Sequence, residues 1–346
     1  MRCLTLADEL RRRGFRCWFI CRELPGNLIS LIRERGYKAT ILPVTKAEKE
    51  PLSGYGRWLT VSIEQDASQT IDILDRMEPM DWLIVDHYAI DVEWEQLVAA
   101  HVKQIMVIDD LANRHHDCEI ILDQTFGRRE DDYISLVSGQ PRFLCGAQYS
   151  LLRPAFQGAR EHSLSRRETS GLNHIIVSLG GVDRDNATAK VLQILERSSL
   201  ASDIEITVVM GRSAPWIAEV QELARASRFR CVVRAGVDDM AELMSQADLA
   251  IGAVGATAWE RCAVGLPSLV TVLAENQVYA LQQLEQSGAV MAFTLENDAP
   301  GGLDTLIELL IARPELISEM SVKAARVTDG AGCAKVVDVL VSGDFI

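Results

Sequence analysis

No apolar stretch of this chain approaches the ~20 residues a helix needs to cross a bilayer, and Asp8 and Glu9 arrive too early for the apolar core of a signal peptide. Secretion and membrane spanning are therefore not expected. The eight cysteines, Cys3, Cys17, Cys21, Cys118, Cys145, Cys231, Cys262 and Cys333, form no C-x-x-C pair and have no His at zinc-finger spacing. They read as reduced thiols buried as small hydrophobes, which suits a cytoplasmic protein and leaves no metal site expected. An excess of basic charge is lacking too. Lys and Arg number 35 against 49 Asp and Glu, a formal charge of -14, and that field repels polyanions. Nucleic acid is thus not an expected partner, whereas a small phosphorylated ligand can still be met locally by backbone amides at a helix start. There is no G-x-x-x-x-G-K-[ST], and no G-x-G-x-x-G follows a first strand, so P-loop nucleotide hydrolysis and NAD chemistry lose their support. No cofactor is expected.

What is present is an ordinary globular composition, 48% apolar and 24% charged, in 346 residues, enough for two domains sharing a cleft. Short β-rich runs alternate with helix-period segments, so the fold class is α/β with parallel sheets. Strands are expected near residues 17–21, 39–42, 82–85, 104–108 and 120–122 in the first half, with helices near 64–77 and 91–100. In the second half strands are expected near 174–179, 204–210, 230–234, 249–252 and 268–273. Helices near 186–197, 215–226, 240–247, 258–264 and 278–287 separate them, and two more follow Pro314, near 315–327 and 333–340. The polar segment QGAREHSLSRRETSGLN (157–173) reads as a linker between an N-terminal domain of residues 1–156 and a C-terminal domain of residues 174–346. The chain opens inside a helix, with Leu4, Ala7 and Leu10 on one face and Gly14 as its stop. A doubly wound domain normally begins with a strand, so the first strand of the N-terminal domain is expected to be missing from this sequence.

The strongest local signal is DLAIGAVGATAWERCAVGLP: a buried-type strand, Gly252 and Gly255, then a helix beginning near Ala256 or Thr257. Amides of Gly255, Ala256 and Thr257 can point at a diphosphate, aided by the helix dipole. Glu260, placed in the first turn, can accept from the two vicinal hydroxyls of a ribose, or it is simply a solvated acid favoured by the dipole. SLGGVDRDNAT is a second strand–glycine–helix junction. Gly180 and Gly181 are either a plain turn or a ligand contact at a strand's carboxyl end, and Asp183 and Asp185 are either a D-x-D metal pair or, more cheaply, caps, with Asp185 or Asn186 the N-cap. VDHYAID places Asp86, His87 and Tyr88 where the chain leaves a sheet: His87 or Tyr88 can contact a sugar, and His87 can act as a base. His115 and His116, in a polar loop after Asp109 and Asp110, read as surface residues. Arg153, before a proline, pairs with an anionic group or braces the linker. Asn276 and Gln277 offer donors and acceptors suited to hydroxyl and acetamido groups, or Asn276 is an N-cap.

MRCLTLADEL, FICRELPGNL, VDHYAID, IDDLANR, YSLLRPAF, SLGGVD, GVDDMAELM, GATAWER and LAENQ occur in the order seen in the UDP-2,4-diacetamido-2,4,6-trideoxy-β-L-altropyranose hydrolases of pseudaminic acid biosynthesis, which the chain resembles over nearly its whole length. Its second half also resembles the nucleotide-binding domain of the peptidoglycan N-acetylglucosaminyltransferase. The resemblance implies a GT-B architecture of two facing Rossmann-like domains. It further implies uracil at the backbone of Val237, ribose on Glu260, diphosphate on the Gly255–Thr257 turn, and Tyr88, Arg153, Asn276 and Gln277 facing the sugar. The implied reaction is attack of water on the anomeric carbon with inversion, releasing UDP. The family's general-base His sits in a G-x-G-H-x-M-R turn, whose Met-Arg coincides with Met1 and Arg2. A misassigned start, with impaired stability and activity for this chain, is the corresponding expectation. A UDP-sugar glycosyltransferase of the same fold and an inactive UDP-binding remnant are the alternatives.

Overall fold

A computed structural model describes residues 1–44, 54–169, 171–295 and 301–342. The chain forms two compact units, Met1–Leu151 together with the chain from Cys333 onward, and Leu152–Gly332.

Unit 1 contains α1 (Arg2–Arg12), β1 (Trp18–Arg22), α2 (Ile29–Glu34), β2 (Lys38–Leu42), α3 (Ile63–Leu74), β3 (Trp82–Val85), α4 (Val92–Val98), β4 (Gln104–Ile108), β5 (Ile120–Asp123) and β6 (Arg142–Cys145). Strands β3, β4, β5 and β6 form one parallel sheet in that order, and β1 and β2 form a separate parallel pair. β4 and β5 carry unbroken runs such as MVI and IIL because both their faces are covered, the condition that makes a parallel strand continuously apolar. One face packs on α3 and α4 through Ala67, Trp94 and Val98. The other packs on Leu6 of α1 and on residues of the C-terminal helix described below, whose Val336 and Val337 are fully buried. Leu4 and Ala7, on another side of α1, pack instead with Ile32 and Tyr37 and against β1 and β2, so α1 serves both sheets.

Unit 2 contains α5 (Pro154–Arg167), β7 (His174–Ser178), α6 (Ala187–Arg197), β8 (Glu205–Met210), α7 (Ile217–Ala226), β9 (Arg230–Ala235), α8 (Met240–Gln246), β10 (Leu249–Ala253), α9 (Ala256–Ala263), β11 (Ser268–Thr271), α10 (Val278–Gln286), β12 (Val290–Ala292), α11 (Leu303–Ala312) and α12 (Glu315–Ala324). α13 (Gly332–Ser342) then returns the chain to unit 1. The six strands are all parallel, in the order β9-β8-β7-β10-β11-β12. From β7 the chain winds outward through β8 and β9, then jumps back and winds the other way from β10. The carboxyl ends of β7 and β10 therefore flank a topological switch point, the place where open α/β sheets bind ligands.

The expected strands and most expected helices are present within a residue or two; β6, β12, α2, α5 and α11 were not anticipated. The domain boundaries need correction at both ends. Residues 157–173 are not a linker: most of them continue α5 inside unit 2, with residue 170 outside the described residues. Their polarity has a structural use. Arg160 donates to the carbonyls of Ala263, Ala325 and Thr328, Ser163 to that of Val264, and Arg167 to those of Met244, Ala247 and Val264. These are carbonyls at and just beyond the ends of α8, α9 and α12, groups a helix cannot satisfy for itself. The second correction is the last helix, placed by sequence with the C-terminal domain and found in the core of unit 1. Arg160→Ala would strand three carbonyls at once and should cost about 2–4 kcal/mol of stability, read by urea denaturation; an unchanged midpoint would show that the helix ends do not need it.

Candidate functional site

The two strand–helix junctions at the switch point are chemically opposite. After β7, Gly180 takes a left-handed φ of 99°, and the carbonyl of Gly181 lies where any side chain at Gly211 would stand, which pins the turn against the start of the next crossover. Asp183 and Asn186, with φ of 43° and 51°, then close off α6. The Asp183 carboxylate accepts from the amides of Ala187 and Thr188 at 2.8 and 2.9 Å, and the Asn186 side chain accepts from Ala189 at 3.3 Å. Capping is therefore what Asp183 does, Asn186 and not Asp185 is the N-cap, and the first turn of α6 has no donor left to offer.

After β10 the arrangement is reversed. Gly255 is the N-cap of α9, and no side chain caps the helix. The Gly255 amide bends back to the Ala253 carbonyl at 3.2 Å, and the Gly255 carbonyl accepts from Ala258 at 2.8 Å. The amides of Ala256 and Thr257 carry no partner among the described residues. Two donors thus face outward at the positive end of a helix dipole, immediately beside the switch point.

Glu260 is the fifth residue of α9, in the second turn rather than the first, on the same side as Ala256. Its side chain is 18% exposed, and its nearest charge is the Arg153 guanidinium at 3.8 Å, beyond hydrogen-bond reach. Burial pushes this carboxyl above its ordinary range, against the pull of Arg153 and Arg261. A half-buried carboxylate with no donor of its own can accept from a pair of hydroxyls.

Arg153 lies in unit 2, where it donates to the carbonyl of Asp238, the residue after the expected Val237, at 2.8 Å and faces Glu260. It thereby ties the loop of Gly236, Val237 and Asp238 to α9. Gly236 has a φ of 64°, and its amide donates to Met210 at 2.9 Å, so the loop is anchored just before Val237, whose own amide and carbonyl have no partner among the described residues. On the other flank, the Gln277 carbonyl oxygen accepts from Leu273 at 2.9 Å. That fixes the amide orientation and leaves its Nε2 4.0 Å from where a Cβ on Gly255 would stand. Asn276 is exposed in the short turn Glu275–Gln277 and is not the N-cap of α10, which is Gln277. Val237, Arg153, Glu260, Gly255, Ala256, Thr257 and Gln277 are thus gathered along one edge of unit 2, with Gly180 and Gly181 at the adjoining strand end.

Sequence reasoning missed Arg261, which is 2% exposed directly under this turn. Gly252 is explained by it: a Cβ there would meet Arg261 Nη1 at 2.7 Å and the Ser178 carbonyl at 2.6 Å.

His87 and Tyr88 lie in unit 1, after β3, in a separate polar cluster. Arg2 forks between Asp86 and Asp110, at 2.6 and 2.7 Å, and the Tyr88 hydroxyl donates to Asp110 at 2.7 Å. Tyr88 also touches the rings of Tyr55 and Trp58, centroids 5.1 and 5.6 Å away, an aromatic group no motif announced. His87 Nδ1 accepts from the Ala89 amide at 3.1 Å, and burial pushes its pKa down, so the ring is neutral at pH 7 with one lone pair already engaged. The neighbouring acids divide by strand alternation: Asp110 faces Arg2 and Tyr88, whereas Asp109 is fully buried with Arg114 and Tyr133. His115 is exposed as expected. His116 is not a surface residue; it is fully buried, its Nδ1 2.7 Å from Glu95.

Residues 175–332, nearly the whole of unit 2, match the model of the glycosyltransferase family 28 C-terminal domain. Over its full length the chain is similar to the crystal structure of Acinetobacter baumannii MurG, with a TM-score of 0.69 at 14% identity, covering 99% of this chain and 95% of that one. The fold is that of the GT-B glycosyltransferases. In sequence, the chain is 31% identical over 172 residues to the spore coat polysaccharide biosynthesis protein SpsG of Bacillus subtilis, covering 49% of each. It is 27% identical over 154 residues to the UDP-2,4-diacetamido-2,4,6-trideoxy-β-L-altropyranose hydrolase of Campylobacter jejuni, covering 44% of this chain and 52% of that protein. The chain spans about half the length of the curated relatives it matches. No helix among the described residues of this GT-B protein is long and apolar enough to cross a membrane.

The Glu260 carboxyl carries a sign that can be checked. With its folded pKa above the unfolded value, stability falls as pH climbs from the ordinary carboxylate range through the raised value. Glu260→Gln should therefore melt at the same or higher temperature than the parent protein at pH 7, and the difference should vanish near pH 4. A lower melting temperature at pH 7 would mean that the Arg153 pairing outweighs burial.

Proposed function

We propose that unit 2 binds the UDP portion of a nucleotide sugar: diphosphate on the open amides of Ala256 and Thr257, ribose hydroxyls on Glu260, and uracil on the backbone of Val237. The observation that carries the reading is the pairing of two idle donors with one idle, half-buried acceptor a single helical turn away. A ribose 5′-diphosphate presents the complementary groups, acceptors on the phosphates and two vicinal donors on the sugar. Gln277 Nε2, beside Gly255, extends the donor set toward the second phosphate or the sugar's acetamido oxygen, and Asn276 adds an exposed amide. Gly180 and Gly181, held against Gly211, leave the strand end free of side chains so that the ligand can approach the backbone.

The reaction we assign is hydrolysis of UDP-2,4-diacetamido-2,4,6-trideoxy-β-L-altropyranose: water attacks the anomeric carbon, the C–O bond to the diphosphate breaks with inversion, and UDP and the free sugar leave. Similarity to the Campylobacter jejuni hydrolase supports that substrate. Charge developing on the departing diphosphate would fall on the α9 amides and dipole, donors that need no reorganisation during the step. Tyr88, which the family resemblance names, and His87, both in unit 1, stay the catalytic candidates. Both are already engaged within unit 1, the Tyr88 hydroxyl donating to Asp110 and His87 Nδ1 accepting from Ala89. The family 28 match of unit 2 favours a second reading, transfer of the sugar to an acceptor.

Calorimetry and a turnover assay separate these readings. UDP should bind the protein, and Glu260→Ala should weaken it roughly 10–100-fold through loss of two charge-assisted hydrogen bonds. UDP release from the nucleotide sugar with water as the sole acceptor supports hydrolysis, release only on adding a second sugar or lipid supports transfer, and binding without release leaves a nucleotide-binding protein. Absence of UDP binding would overturn the site itself.

A further inference from the structure

Arg261 is among the largest fully buried side chains of the molecule. Its guanidinium donates to the Ala253 carbonyl at 2.9 Å and to Thr257 Oγ1 at 3.4 Å, while its Nε has no partner among the described residues. No carboxylate lies within ion-pair distance of it among the described residues; Glu260, the preceding residue of the helix, is the carboxylate whose charge it feels. Burial pushes its pKa down to about 10, which still leaves it a cation at neutral pH. A buried charge without a counter-ion is strongly destabilising, and such groups are normally paired. This one sits between the last residue of β10 and the second residue of α9, beneath the two open amides.

We propose that Arg261 is a positioning residue whose buried charge is balanced by the diphosphate of the bound nucleotide. This rests on the nucleotide reading above and deepens it. By bonding Ala253 and Thr257 it holds both ends of the Ala253–Thr257 bend in the conformation that turns the amides of Ala256 and Thr257 outward. Its positive charge, in low-dielectric surroundings, adds to the helix dipole at the same spot. The nucleotide anion is thus recognised partly by a cation it never touches, and Gly252 is small so that this cation fits.

The test compares UDP, which carries the diphosphate, with uridine, which does not, by calorimetry on the full chain. Arg261→Met should weaken UDP at least tenfold while changing uridine less than about twofold, and without nucleotide it should melt no lower than the parent protein. Arg261→Lys, keeping the charge, should recover most of the UDP affinity. Equal loss for UDP and uridine, or Met and Lys variants that behave alike, would reduce Arg261 to a packing role and overturn the inference. Should Arg261→Met fail to fold, arginine-labelled parent protein decides: the Arg261 Nε–H resonance should shift with UDP and much less with uridine, and a resonance indifferent to UDP overturns the proposal. Parent protein that binds uridine but gains nothing from the diphosphate overturns the charge assignment alone, whereas parent protein that binds neither overturns the nucleotide reading together with it.

Discussion

A helix that starts without a cap is the constraint on which the rest of unit 2 turns. Uncapped first-turn amides cost stability, and the same sheet shows how the cost is avoided: at α6, Asp183 and Asn186 take up three of them. At α9 the corresponding positions are Gly252 and Gly255, which supply nothing. The contrast matters because both helices begin at carboxyl ends of neighbouring strands, β7 and β10, on either side of the switch point. One junction is closed by its own side chains and the other is left for something else to close.

Much of this was legible in the sequence. The β10–α9 junction could be read as a strand, glycines at 252 and 255 and a helix start, whereas counting along the helix put Glu260 one turn too early. The order of strands in unit 2 was legible in class but not in detail, since β12 is a three-residue strand. What escaped has a common cause: polar residues whose partners are far away in sequence. Arg160 and Arg167 look like linker residues until the carbonyls 77 to 168 positions away are in place. His116 sits in a run of polar residues, and only Glu95, on a helix 21 residues earlier, gives its ring a buried partner. Arg261 carries no signal in the sequence, because nothing local shows that Gly252 has made room for it.

Unit 1 shows how buried polar groups can be satisfied by the chain itself. Asp109 and Asp123 converge on the Tyr133 hydroxyl at 2.9 and 2.8 Å, and each has its own arginine, Arg114 and Arg128. Even so, burial lifts Asp123 to about 6. Every charge in that network has a neighbour of the opposite sign, and the network closes on itself at the ends of β4 and β5. The cluster of Arg2, Asp86, Asp110 and Tyr88 is built on the same rule, with one cation between two acids.

Against that standard the edge of unit 2 is anomalous in three independent ways. Among the described residues, two amides lack acceptors, a half-buried carboxylate lacks donors, and a buried guanidinium lacks a counter-ion, all in α9 and the bend before it. Each alone would be a tolerable defect, since proteins carry a few. Together they are not three defects of one kind: they ask for an acceptor and for negative charge at the start of the helix, and for donors one turn along it. An apolar or cationic occupant answers none of them, and free phosphate answers only two. A molecule joining an anionic diphosphate to a diol answers all three, which is why the unfavourable features and the proposed ligand have to be considered as one arrangement.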